Sequence, residues 1–436
     1  MTSRTFITWF ALGHFANDWP IAALWLIVPA AGLAMNLPPA EVGLLFTLFS
    51  VGGALAYVPA GLLADRVSNR GRLLVGTFFW VALGYALAAL APGFWSLAIL
   101  LATAGLGNAA WHPIATGVLT RDNKTDRARI LGVHALGGSF AEVLAPLSVG
   151  LLLAFLDWRG ALAISVLPTV LMGLCFLWVV RSVPAVEKPR VGQNELRDLI
   201  RAWIGRRGLR IIASFSLYNM SLIALLSMFP LYLATVHDLA PATIGIVFAA
   251  MLITGALAQP WVGAISDRLG RTPILAIGNG LAALAIATLM FEPPFWFVIA
   301  MMALAVAALD AIRAAMLAAA VDHTDHSEST TLGFAFALLD GVGAFGAVLA
   351  GMAAGISWGA MFGLAAALAC GAAILSVRTP RRLPQGGNAP SAVPPTTGRE
   401  EVSGWNQPRN GVSYTTPAEG RGMTIEEAKA EHAWRF

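Results

Sequence analysis

Residues 61–72 read GLLADRVSNRGR, and residues 263–271 read GAISDRLGR. Each stretch sets a glycine four positions before an Asp-Arg pair and follows the pair with further arginine. Asp65 and Asp267 stand 202 residues apart. At the same offset Gly43 pairs with Gly245, the run GALA at 53–56 with GALA at 255–258, Asn17 with Asn219, and Asn108 with Asp310. The chain is therefore two copies of one unit. Related halves with a site between them are a recurring transporter plan.

The composition says where these units live. Hydrophobic residues make up 57% of the 436 and charged residues 12%, with a mean hydropathy of +0.71. Soluble domains carry about 25% charge, so this chain cannot cover a water-facing surface. Its apolar runs are about 20 residues long, the length that crosses a bilayer core. They read as spans at 6–33, 42–64, 73–91, 94–119, 129–156, 160–180, 210–236, 242–266, 273–291, 295–320, 330–355 and 357–377. The predicted fold is an all-α membrane protein of twelve transmembrane helices in two pseudo-symmetric six-helix bundles, residues 1–181 and 210–377. Residues 182–209 form a polar, basic linker, and the Pro- and Gly-rich tail 378–436 has the composition of a disordered segment. Within it, Met423 to Trp434 reads as a short helix. The first run is too long for the apolar core of a signal peptide. The 44 glycines suit close helix packing. Cys175 and Cys370 lie in apolar runs without metal-ligand spacing and read as small core residues.

Orientation follows from loop arginines and lysines. Up to Arg382, every loop Lys or Arg except Arg159 falls on one side when loops are taken alternately. Both termini and the linker are expected in the cytoplasm, with the protein in the inner (plasma) membrane. The sequence pI near 9.4 reflects this asymmetry, and no nucleic-acid partner is needed to explain it. No Gly-x-x-x-x-Gly-Lys-Ser/Thr loop for nucleotide phosphates occurs, and no nucleophile, base and orienting group stand at recognisable spacing. An enzyme, a cofactor and a metal are not expected.

Charged residues inside a membrane are expensive, about 2.5–3.5 kcal/mol each at mid-bilayer, and usually face a working cavity. Here they recur. Span one carries His14, Asn17 and Asp18 on one helix face. Span four carries Asn108 and His112, and span five carries His134 and Glu142. Span seven adds Tyr218 and Asn219, span ten Asp310 and Arg313 at ion-pair spacing, and span eleven Asp340. Carboxylates and histidines suit proton carriage, with Asp18, Glu142 and Asp340 the best carriers. Arg313 keeps its charge and suits an anionic substrate or a carboxylate partner.

The doubled Gly-x-x-x-Asp-Arg loop, with Gly61, Asp65, Arg66 and Arg70 in the first copy and Gly263, Asp267, Arg268 and Arg271 in the second, resembles that of the major facilitator superfamily. The first copy has Ser68 and Asn69 where the pattern has Gly-Arg. The resemblance implies a cytoplasmic gate at these residues, a cavity lined by spans one, four, seven and ten, and a monomer working among membrane lipids. Three pieces of the first half, HFAND at 14–18, GNAAWHP at 107–113, and GGSF at 137–140 followed by Pro146, are similar to the fosmidomycin-resistance group of efflux antiporters. That implies proton-coupled export of a small anionic or amphiphilic compound. The same buried groups would serve a proton symporter importing a small organic acid. A transport-silent sensor or scaffold using the tail is the reading from another class.

Overall fold

The computed structural model describes residues 3–120, 127–183, 201, 203–323 and 328–377. Among these the structure is helical throughout, without strands. The first six spans are α1 (Ser3–Ala34), α2 (Pro39–Arg66), α3 (Arg70–Ala89), α4 (Phe94–Thr120), α5 (Arg127–Leu152) and α6, which runs as Trp158–Ser165 and Leu167–Val179. The next six are α7 (Arg206–Val236), α8 (Pro241–Leu269), α9 (Arg271–Thr288), α10 as Phe295–Ala311 and Arg313–Val321, α11 as Glu328–Gly343 and Phe345–Ala354, and α12 (Trp358–Val377). Three spans read as unbroken helices are thus interrupted, at Val166, Ile312 and Ala344. Eleven spans among the described residues are long and apolar enough to cross a membrane. The exception, α1, has its apolar stretch interrupted by His14, Asn17 and Asp18.

Packing repeats as the sequence does. In the first half α1 lies on α5, α2 on α4, and α3 on α4 and α6; in the second α7 lies on α11, α8 on α10, and α9 on α10 and α12. Among the described residues the halves meet chiefly through α2 with α11 and α5 with α8. The repeated glycines explain that seam. A Cβ on Gly43 would strike the backbone of Ala347 and Val348, and one on Gly245 would lie 2.8 Å from the Pro146 carbonyl and 3.0 Å from Gly150 Cα. Gly351 meets the Pro39 carbonyl in the same way. Thr47 donates its hydroxyl to the Ala344 carbonyl at 2.8 Å and accepts from the Val348 N–H at 3.3 Å. These contacts gather where α2 and α8 begin and α5 and α11 end. The halves are closed together at that end, opposite the Asp-Arg loops.

The loops themselves differ for a local reason. Between α8 and α9 a single residue turns the chain, Gly270, at φ +93, a left-handed value suited to glycine. Between α2 and α3 the link is three residues long, and Asn69 accepts from the Arg72 N–H at 3.1 Å to cap α3. The departure at Ser68 and Asn69 is a longer turn closed by a cap instead of by glycine.

Arg70 is buried, its Nε donating to the Ala64 carbonyl at 2.9 Å and its Nη1 to the Gly117 carbonyl at 3.4 Å. It ties the ends of α2 and α4. Hydrogen bonds from charged groups contribute about 1.5–3 kcal/mol, so Arg70→Ala is expected to lower the melting temperature in detergent by several degrees. An unchanged melting curve would contradict that assignment.

Two expectations change here. Cys175 and Cys370 are exposed rather than in the core; a helix in a bilayer presents apolar residues outward as well as inward, so an apolar run does not reveal which way a cysteine faces. Within the stretch read as a polar linker, Trp203 is 1% exposed and packs edge-on to His323, ring centroids 5.1 Å apart, and on Phe334. Residues 184–200 and the tail from 378, with its expected helix at 423–434, lie outside the described residues.

Candidate functional site

One turn of α1 builds the first cluster. His14 and Asp18, four residues apart, meet with Nε2 3.0 Å from the Asp18 carboxylate. On its other side His14 Nδ1 lies 2.9 Å from the His134 carbonyl, and the two rings stack at 4.4 Å. His112 of α4 brings its Nε2 to 3.4 Å from Asp18. Asn17 donates to Asp18 at 3.0 Å and to the Asn108 carbonyl at 3.3 Å, while Asn108 donates back to the Asn17 carbonyl at 2.7 Å. Gly138 leaves the room: a Cβ there would lie 2.7 Å from His14 Nε2 and 3.3 Å from Asp18 Oδ2. His134 Nδ1 lies 3.2 Å from the Phe10 carbonyl. Trp111 stacks on His134 with centroids 5.2 Å apart.

Among the described residues, two side-chain-to-side-chain bridges also cross between the halves. Arg313, on α10, places Nη1 3.4 Å from Glu142 of α5 and 3.9 Å from Asp310. Tyr57 of α2 donates to Asp340 of α11 at 2.5 Å. Arg313 and Glu142 face each other between the halves, and their side chains are 37% and 41% exposed. The contact between the halves is thus open to solvent or solute on part of its surface. Arg313 opens the second segment of α10, just past the break at Ile312. Near that break the Leu309 carbonyl accepts from the Tyr218 hydroxyl at 2.9 Å.

The sequence-derived residues thus divide. His14, Asn17, Asp18, Asn108, His112 and His134 form one cluster within the first half. Glu142, Asp310 and Arg313 meet across the halves. Tyr218 and Asn219 bond backbone carbonyls of the second half, Asn219 to Leu339 at 2.7 Å. His134 and Glu142 do not share a partner, since eight residues advance a helix by about 80° past two full turns. The expected Asp310–Arg313 pair is looser than the Glu142–Arg313 contact.

Sequence reasoning missed Tyr57 and Gln259. Gln259 donates to Asp310 at 3.1 Å, as Tyr57 does to Asp340. They stand 202 residues apart, each directly after its GALA run. The repeat itself was the signal that could have found them.

At the Asp-Arg loops the described contacts stay within a half. Arg271 holds Asp267, donates to Ser266 at 2.8 Å, and lies 3.4 Å from Asp322 at the end of α10. Arg66 and Arg268 are exposed, and the Asp65 side chain lies outside the description. A Cβ at Gly61 or Gly263 would meet its nearest neighbour only at 3.8 or 4.0 Å, so neither glycine marks a close approach here.

Comparison with known proteins agrees with this architecture. The chain is 24% identical over 282 residues to a putative metabolite transport protein of Haemophilus influenzae, covering 60% of this chain and 67% of that protein. It is 24% identical over 258 residues to a probable L-galactonate transporter of Escherichia coli, covering 55% of this chain and 57% of the relative. Its fold matches the crystal structure of a bacterial homologue of the human lysosomal transporter Spinster, inward-facing and unoccupied. That match has a TM-score of 0.69 at 18% identity and covers 86% of this chain and 94% of the other. The Major Facilitator Superfamily pattern matches residues 10–240 and 211–413, and the chain belongs to that superfamily of membrane transporters.

Proposed function

We propose that this transporter moves a small organic anion together with a proton, working as a monomer in the inner membrane with both termini cytoplasmic. The observation that carries the reading is the Glu142–Arg313 contact across the halves. A guanidinium that keeps its charge is shared by carboxylates of both halves in an accessible space. A substrate carboxylate or phosphonate can take Glu142's place by the same charge-assisted bonds. Glu142, then unpaired between the halves within the membrane, is neutralised by a proton, because an isolated charge there is costly. Anion and proton are thereby loaded together, and the bridge between the halves is released at that moment. Asp340, held by Tyr57 across the other pair of helices, is the second carboxylate able to take part. The relative described as an L-galactonate transporter has a carboxylate cargo, which supports an anionic substrate.

The second reading is export by antiport, favoured by the likeness of residues 14–18 and 107–113 to the fosmidomycin-resistance group. The sign of proton movement separates the two. Proteoliposomes without an imposed gradient would receive L-galactonate, then a panel of small carboxylates and phosphonates. Symport raises the external pH as the anion enters, and antiport lowers it. Glu142→Gln is expected to abolish the pH signal while leaving exchange of labelled anion across the membrane. A pH signal that survives in Glu142→Gln would sink the proposed role.

A further inference from the structure

We infer that His14, Asp18 and His112 form a binding site for a divalent transition-metal ion of the zinc type. The three donors come from two helices, 94 residues apart in sequence, and all their ligand atoms lie within 4.8 Å of one another. Each histidine nitrogen lies at ligand spacing from a different oxygen of the Asp18 carboxylate. Zinc holds imidazole nitrogen at about 2.0–2.1 Å and carboxylate oxygen at about 2.0–2.2 Å. Two such ligands at a tetrahedral angle stand about 3.3 Å apart on those bond lengths. The observed separations are 3.0 Å from His14 Nε2 to Asp18 Oδ2 and 3.4 Å from His112 Nε2 to Asp18 Oδ1.

The surroundings aim the donors. A carbonyl oxygen can only accept, so the bond at 2.9 Å between His14 Nδ1 and the His134 carbonyl fixes a proton on Nδ1. In neutral His14 the lone pair is then on Nε2, facing a carboxylate. Either a proton or a metal ion on Nε2 makes this 3.0 Å contact attractive, so the same lone pair that takes a proton is available to an ion. A backbone carbonyl behind a ligating histidine is the usual outer support of a metal site, orienting the ring and setting its tautomer. Asn17 gives Asp18 a similar support through its 3.0 Å bond. Gly138 keeps the face of the His14–Asp18 pair clear of side chain. Two imidazoles and one carboxylate suit zinc, cobalt or nickel better than calcium or magnesium, which prefer oxygen alone. Three protein ligands leave a fourth position for water or a solute oxygen.

The site is independent of the anion-coupling reading, because neither Glu142 nor Arg313 takes part and binding can be read without transport. The test uses full-length, tag-free protein purified in detergent and stripped with chelator. Zn²⁺ is titrated in competition with a chromophoric chelator, and Co²⁺ is added separately to read its d–d bands. The expected result is one tight ion per chain, with Co²⁺ bands of a nitrogen- and oxygen-ligated, four- or five-coordinate centre. Asp18→Asn and His112→Ala are each expected to weaken binding at least about 100-fold, the upper end of what loss of a mere supporting group costs. Gly138→Ala removes no ligand but fills the space beside His14 Nε2, and is expected to weaken binding as well. His237→Gln, at a loop histidine outside the cluster, should change nothing. An elution profile and melting curve like the parent's qualify each variant, and Gly138→Ala serves if a ligand variant fails to fold. Absence of Zn²⁺ binding below millimolar concentration in the parent would overturn the inference. So would binding that Asp18→Asn, His112→Ala and Gly138→Ala leave unchanged.

Discussion

Arg313→Gln is expected to weaken substrate uptake roughly 30- to 150-fold, which is about 2–3 kcal/mol of lost anion affinity. Truncating one partner of a buried charge pair costs 2–5 kcal/mol. The lower part of that range applies because both Arg313 and Glu142 are over a third exposed. Stability should fall too, since Glu142 and Asp310 lose the cation they share. In a fully buried pair that would cost about 3–5 kcal/mol, and the exposure of both side chains reduces it. Two companions separate the effects. The double variant Arg313→Gln with Glu142→Gln removes the stranded charge across the halves, so its melting temperature should recover while uptake does not. Arg313→Lys keeps the charge but loses the planar fork that grips a carboxylate in two places, and its uptake should fall between parent and Arg313→Gln. Uptake by Arg313→Gln at the parent's rate would remove Arg313 from the substrate path.

The second large effect is expected at the seam. Gly43→Leu combined with Gly245→Leu should hold the protein open at the end where α2 and α8 begin, with transport all but lost. Overpacking against movable side chains costs about 1–3 kcal/mol per site. Here the obstructing atoms are backbone: Ala347 and Val348 for Gly43, Pro146 and Gly150 for Gly245. Taking a two-state equilibrium from 99:1 to 1:99 needs about 5.5 kcal/mol, which two unyielding clashes can exceed. The chain need not unfold, because parting the halves relieves both. Labelling reads the outcome. In a Cys175→Ala, Cys370→Ala background, Ala344→Cys supplies one thiol at a buried position of the seam, whose carbonyl takes the Thr47 bond. A maleimide that does not cross membranes should react slowly with the parent seam and quickly in the double-leucine protein. Equal rates would show that these glycines do not govern closure.

Much of this was legible in sequence for physical reasons. The bilayer demands long apolar helices with internally satisfied backbones, so composition and run length disclosed the twelve spans. Duplication disclosed the halves, and Gly43 with Gly245 proved to be the same seam contact made twice. The intramembrane polar residues were visible because each is costly in its setting. Their partners were not. Helix period places residues on faces, but only packing decides that Glu142 turns to Arg313 while His134 turns to Phe10. Nor could spacing show that His112 approaches Asp18 from another helix. Interruption of α10 at Ile312 left no mark such as proline or glycine at that position. Cys175 and Cys370 were misplaced because the outside of a membrane protein is as apolar as its inside.

The seam is largely backbone meeting backbone, whereas the Arg313 cluster is made of side chains. Among the described residues the two surfaces are distinct and meet chiefly through the Glu142–Arg313 and Tyr57–Asp340 bridges. On the proposed mechanism, Asp310 and Gln259, which pair within the second half, can change with the solute while the backbone seam stays as it is. A laboratory lineage evolved toward a different solute should accumulate its changes around Arg313 and keep Gly43, Gly150, Gly245 and Gly351 throughout.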